Sequence, residues 1–207
     1  MPPTLLGADM NIHTAISSQL SAVILQQLGD YRHRVFVEQL GWRLSCENAL
    51  EFDQFDRADT VYVVARDHIG NINGCARLLP TTQPYLLADV FPELLHGAPP
   101  PRATEIWELS RFAAMDFEAN SNIPAGQFSS PIALNILRSA IDFAQQRGIR
   151  YLITVSPIGV ERLLRKAGAK SHRLGPPRLV NDHWLYACMI HCDLDDHLST
   201  VNVGTTQ

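Results

Sequence analysis

Charged residues are sparse in this 207-residue chain, 18% against 46% hydrophobic. That composition is the one expected of a folded globular protein, large enough for a sizeable core, and residues 1–207 read as one domain. No apolar run reaches the roughly 18 to 20 residues that a membrane span needs, so no membrane partner is expected. No low-complexity tract or internal repeat interrupts the chain, and no Gly-x-Ser-x-Gly marks a serine hydrolase. The first residues lack the basic stretch of a secretory signal, which makes the cytosol the expected compartment. Cys46, Cys75, Cys188 and Cys192 show no spacing of a disulfide framework. Cys188, His191 and Cys192 cluster without a matching second pair, so no metal is expected.

Against that background the run from Arg102 to Met115 stands out. It sets a carboxylate, a hydroxyl and a guanidinium (Glu108, Ser110, Arg111) in an otherwise apolar stretch. Buried charge costs several kcal/mol unless it is paired, so a partner or a chemical role is implied. Upstream, YRHRVFVEQLGW holds Arg32, Phe36 and Trp42, and EFDQFD holds Asp53 and Asp56. Polar groups on three segments suggest one converging site.

The element pattern is mixed. Thr14 to Leu28 reads as an amphipathic helix, and Asp30 as the N-cap of a second one that Gly41 stops. Arg32 and Phe36, four apart, then share a face. Leu44 to Asp59 reads as an ordered acidic loop. Thr60 to Ala65 and the segment after Gly74 form a hairpin. A Pro-rich linker leads to a strand over Glu105 to Ala113. In a regular strand Glu108 and Ser110 face one side and Arg111 the other, so a β-bulge is needed to aim all three at one place. Pro131 to Gln146 is a helix closed by Gly148. Tyr151 to Val155 is a strand, Ile158 to Lys166 a helix, and Trp184 to Ile190 a last strand. Ser156-Pro157 reads as an N-cap followed by an N1 proline. The expected fold is α/β (α+β), a three-layer sandwich of a mixed twisted sheet with helices on both faces. Residues 1–13 and 193–207 are expected to be frayed tails.

Charge is unevenly spread. From Arg138 to Arg178 nine bases face only Asp142 and Glu161, although the whole chain carries a net charge of -4. The bases are a solvated surface or a seat for an acidic partner. Nucleic acid is not favoured, because aromatic interleaving and zinc-finger spacing are both missing.

Taken together, these positions resemble the acyl-homoserine-lactone synthase (autoinducer synthase) family. The resemblance runs from about Leu20 to Ile190 and rests on Arg32, Phe36 and Trp42, on Asp53 and Asp56, on Arg77 in GCARLLP, and on Glu108, Ser110 and Arg111. The stretches VFVEQLGW and ARLLPTTQPYLL look most like the subgroup making medium-chain signals such as octanoyl-homoserine lactone. Gln39 departs from the family's usual basic residue. The family resembles the acetyltransferases in fold, yet this chain lacks their Gly-rich loop for the pyrophosphate of coenzyme A.

The resemblance implies a reaction that joins a fatty acyl thioester to the amine of S-adenosylmethionine, closes the lactone and expels methylthioadenosine. S-adenosylmethionine is a substrate, and no cofactor is implied. Glu108 would be the base, through a water, or else a structural ion pair with Arg111. Asp53 and Asp56 suit the cationic parts of the substrate, and Arg32 and Arg111 its carboxylate, with Arg77 completing the cluster. The same groups could equally form a salt-bridge network. Ser110 could hydrogen-bond the thioester. Phe36 and Trp42 are pocket walls or core. Leu134, Leu137, Ile153, Thr154, Val155 and Ser156 would line the acyl tunnel. Acyl carrier protein, being small and acidic, fits Arg147, Arg150, Arg162, Arg165, Lys166 and Lys170. A monomer is expected. A coenzyme A-dependent acyltransferase or a ligand-binding sensor on the same scaffold are the alternatives.

Overall fold

The computed structural model describes residues 11–117 and 131–192. Its centre is a sheet of eight strands: β1 (Asn11–Ile16), β2 (Val61–Arg66), β3 (Ile72–Pro80), β4 (Ile106–Ala113), β5 (Tyr151–Pro157), β6 (Ser171–Arg173), β7 (Arg178–Val180) and β8 (His183–His191). The order is β1-β2-β3-β4-β5-β8-β6, with β7 also paired to β8. Every pairing is antiparallel except β4 with β5. Alternation along the strands sends Val61 and Val63 toward one face and Tyr62 and Val64 toward the other. Helices α3 (Pro131–Gln146) and α4 (Val160–Lys166) bury their apolar stripes on the first face. Helix α1 (Ala22–Arg32) covers part of the second, and the short α2 (Leu86–Asp89) with the 3-10 turn Pro92–Leu95 covers the rest. The three-layer, mixed-sheet architecture is therefore the one that the element pattern implies.

Several local expectations are corrected. Thr14 to Ile16 belong to a strand, because Asn11–Ile16 pairs with Val61–Arg66 and the sheet overrides a helical spacing. Asn11 to His13 are thus part of the sheet, while the remainder of the expected tails lies outside the described residues. Helix α1 starts at Ser21, whose hydroxyl accepts the Ile24 N–H at 3.3 Å. Asp30 caps nothing: α1 runs on through a π-helical segment, His33–Gln39, before Gly41. Gly29 lies inside α1. A Cβ there would meet the Phe52 ring at 2.5 Å, and the Glu51 N–H donates to its carbonyl at 3.0 Å. The missing side chain lets the acidic loop lie against the helix. Ser156 and Pro157 remain within β5, and α4 is preceded by Gly159. The strands β6 and β7 have no periodicity long enough to read.

Where β3 meets α3, Gly74 fills a tight crossing. A Cβ would come to 2.4 Å from Ile136 Cδ1 and 3.1 Å from the Ala113 carbonyl oxygen. Gly74→Ala is expected to destabilise the protein by about 1 to 3 kcal/mol, as overpacking does. Urea unfolding of the two proteins measures it.

Candidate active site

β4 carries the first part of the site, and it is bulged. Cys75 pairs with Ala113 and Arg77 with Ser110, so three steps on β4 oppose two on β3. Arg111 takes up the extra residue with φ +49, a left-handed conformation that costs a non-glycine residue about 1 to 3 kcal/mol. The Cys75 thiol donates to its carbonyl at 3.3 Å. The bulge turns the Arg111 side chain toward the acidic loop and so unites it with Ser110, whereas Glu108, expected at the same place, faces α2.

Three arginines and three carboxylates then close a ring. Arg32 gives Nε to Glu51 at 2.6 Å and both terminal nitrogens to Asp56 at 2.8 and 3.0 Å. Arg77 reaches Asp56 at 3.0 Å and Asp53 at 2.6 and 3.2 Å. Arg111 joins Asp53 at 2.8 Å to Glu51 at 2.9 Å, which completes the circuit. Arg32 and Arg77 are fully buried, so only such alternation makes their charge tolerable. Burial alone would lower the Arg32 pKa; Asp56 and Glu51 raise it well above its ordinary value. Burial likewise works against ionised Asp56, but Arg32 and Arg77 hold its carboxyl far below the usual range. Tyr62 adds a hydroxyl donor to Asp56 at 2.6 Å, and Ser110 accepts Arg77 Nε at 3.1 Å. Glu51 is the member that sequence reasoning missed. It stands two residues before Asp53 in the same acidic segment, which was the available signal.

Beside the ring lies a cavity of about 380 Å³. Parallel pairing of β4 with β5 ends at Glu108 and Ile153, although both strands continue, so they part and leave a gap. Ser110, Arg111 and Phe112 line one edge of it, and Thr154, Val155, Ser156 and Pro157 the other. Phe36 and Trp42 form an aromatic wall with centroids 5.1 Å apart. Leu86, Val90 and Phe91 add an apolar side, and the β7–β8 turn (Val180 to His183) a rim. Of the six ring members, Arg111 alone lines the cavity. Thr154 and Ser156 hydroxyls lie 3.0 Å apart.

Glu108 sits apart from both. It is fully buried behind α2, and its two oxygens accept the Leu86 and Leu87 N–H groups at 2.9 and 2.7 Å. An ion pair with Arg111 is thereby replaced: Arg111 is taken by Glu51 and Asp53. Burial pushes the Glu108 pKa up to about 7, against the two amides and the positive charge of Arg77 and Arg111.

Three expected wall residues are elsewhere. Leu137 belongs to the core between α3 and the sheet, with the half-buried Leu134 packed against it, and Ile153 to the core beneath α2. The basic surface is also divided. Arg147 and Arg150 lie at the start of β5, where Arg147 stacks on Phe143 at 3.7 Å and Arg150 stands 5.5 Å from Tyr151. Arg162 and Arg165 are exposed on α4, past the other end of that strand. Lys166 ends α4, and Lys170 follows it, just before β6.

Residues 17–199 match the family described as autoinducer synthase. An acyl-homoserine-lactone synthase from Acinetobacter nosocomialis is 51% identical over 181 residues, 87% of this chain and 99% of that protein. Among solved structures, TofI in a ternary complex with an inhibitor and MTA is 45% identical, with a TM-score of 0.75 over 88% of this chain and 91% of that one. BjaI, a CoA-dependent acyl-homoserine lactone synthase solved with SAM and isopentyl-CoA, is 26% identical, with a TM-score of 0.78 over 94% and 92%. An acyl-CoA N-acyltransferase from Pseudomonas aeruginosa, 14% identical with a TM-score of 0.59 over 88% and 99%, shares the fold alone. The chain belongs to the autoinducer synthase family and is an acyl-homoserine-lactone synthase, hence an acyltransferase.

Proposed function

We propose that this enzyme takes a medium-chain, octanoyl-like acyl group from acyl carrier protein and joins it to the amine of S-adenosylmethionine. The amine nitrogen attacks the thioester carbonyl, the carrier thiol leaves, and an amide remains. The substrate carboxylate oxygen then displaces sulfur at the carbon next to the sulfonium, closing the lactone and releasing methylthioadenosine.

The observation that carries this reading is the cavity in the β4–β5 gap with Arg111 on its edge. A thioester arm fits between two parted strands, and a guanidinium at the edge suits the carboxylate of the amino-acid substrate. The complexes of TofI with MTA and of BjaI with SAM support an adenosyl ligand in this fold. Phe36 and Trp42 offer it an aromatic wall. The carboxylates of the ring serve mainly to fix Arg111, since they face arginines rather than the cavity. Glu108 takes the proton from the amine. Because it lies behind Leu86, a bridging water carries that proton.

For the acyl tail, Val155, Val160 and Leu185 supply apolar cavity wall, at about 0.8 kcal/mol per buried methylene. The carrier protein approaches the exposed arginines of α4 by charge complementarity. The absent Gly-rich loop also favours a carrier over free coenzyme A. The second reading, a coenzyme A donor, has BjaI in its favour. The cytosol is the proposed compartment, and the missing disulfide spacing in the sequence fits a reducing one.

The test is mass spectrometry of the enzyme with S-adenosylmethionine and a matched panel of acyl carrier protein and coenzyme A thioesters of graded length. Octanoyl carrier protein should give the highest kcat/KM, with one methylthioadenosine per lactone. A coenzyme A thioester that outcompetes it overturns the donor assignment, and a different best chain length overturns the tail.

A further inference from the structure

His183, on the rim of the cavity, is not among the residues on which the family resemblance rests. β7 and β8 are joined by Asn181 and Asp182, with φ +47 and +66, the two-residue turn whose twist suits a hairpin. So short a turn fixes register: Val180 opposes His183, and Leu179 opposes Trp184. Val180 and His183 therefore point into the cavity, while Leu179 and Trp184 stand on the opposite face, both more than half exposed.

From that rim the His183 ring reaches across to Trp42 on the far wall, with centroids 6.2 Å apart and planes at 59°. The Trp42 ring packs on Phe36, at 5.1 Å, and the Trp42 backbone N–H donates to the Phe36 carbonyl at 2.9 Å. Phe36 in turn lies under the Arg111 guanidinium, 5.6 Å from the ring centre. Four side chains thus form a ladder, His183–Trp42–Phe36–Arg111. It joins the end of the π-helical segment, the β7–β8 turn and the bulge of β4. Its outermost rung links the Phe36–Trp42 wall to the β7–β8 rim.

We propose that His183 is a positioning residue for S-adenosylmethionine, acting through Trp42 by fixing the indole over the cavity. This deepens the reading above and rests on its assignment of the Phe36–Trp42 wall to the adenosyl substrate. A wall contact is made equally in ground state and transition state, so its loss weakens binding and leaves the chemical step alone. The effect should have the size of one aromatic pair, three- to tenfold.

The experiment compares wild type, His183→Ala and His183→Phe with the donor saturating. His183→Ala should raise KM for S-adenosylmethionine three- to tenfold, with kcat and KM for the acyl donor within twofold. Calorimetric titration with S-adenosylmethionine alone should show the same loss. His183→Phe, which keeps a ring without the imidazole nitrogens, should restore both values. An unchanged KM overturns the proposal, as does a fall confined to kcat, a rise confined to the donor, or failure of the Phe variant to rescue. If wild type itself neither binds S-adenosylmethionine nor turns it over, the functional reading has failed instead.

Discussion

Glu108→Gln should lower kcat by about a thousandfold, within the range for loss of a general base. The same change should flatten the pH profile. In wild type kcat/KM should rise through pH 7 as Glu108 loses its proton, since burial pushes its pKa up to about 7. The surrounding ring does not interfere. Asp56 and Glu51 are held below the ordinary carboxylate range and Arg32 and Arg77 above the ordinary guanidinium value, so none of them titrates there. Stability carries the opposite sign. The folded pKa lies above the ordinary 4.5, so the neutral acid is the form that folding favours. Its contribution is complete below pH 4.5 and is lost as pH rises through about 7, a swing of about 3 kcal/mol. Denaturant melts at pH 5 and pH 8 should show that slope in wild type and not in Glu108→Gln. A variant with wild-type turnover would remove Glu108 from the chemistry and leave it as the anchor of α2.

Arg77→Met should cost about 3 to 5 kcal/mol, the penalty for breaking a buried charge arrangement on one side. Volume is nearly kept, so the loss is electrostatic: Asp53 and Asp56 each forfeit a partner, and Ser110 loses its donor. For a chain of this length the melting temperature should fall by about 10 °C. Arg77→Met combined with Asp53→Asn should recover part of that loss, because it removes one of the stranded charges. A double-mutant cycle by thermal denaturation measures the coupling. If the two losses simply add, Arg77 and Asp53 do not stabilise each other across their 2.6 Å contact.

Much of the fold was legible because it obeys simple periods. Pro131 to Gln146 shows its apolar stripe plainly, and the β2–β3 hairpin is marked by a turn at Gly70 to Gly74. The need for a bulge near Arg111 followed from strand alternation alone. What stayed hidden depends on contacts distant in sequence. β1 is a strand because β2 lies beside it, and α1 passes Gly29 because Phe52 takes the space. Glu51 looked like any loop acid until Arg32 and Arg111 were seen on either side of it. The position of Glu108 behind α2, and of Leu134, Leu137 and Ile153 away from the cavity, depends on which face each element turns inward. His183 needed the register of a three-residue strand, too short to leave a periodic trace.

The parting of β4 from β5 sets how such an enzyme can change over time. A thioester arm placed in the gap, as proposed, would lie between two strand edges, against main-chain groups that most side-chain exchanges leave in place. On the proposed reading, tail preference rests on the few side chains around that gap. Exchanges at Val155, Val160 or Thr154 would then shift the message that the product carries while leaving the seat of the thioester arm intact. Dialects can diverge quickly on a scaffold whose grammar is carried by the backbone.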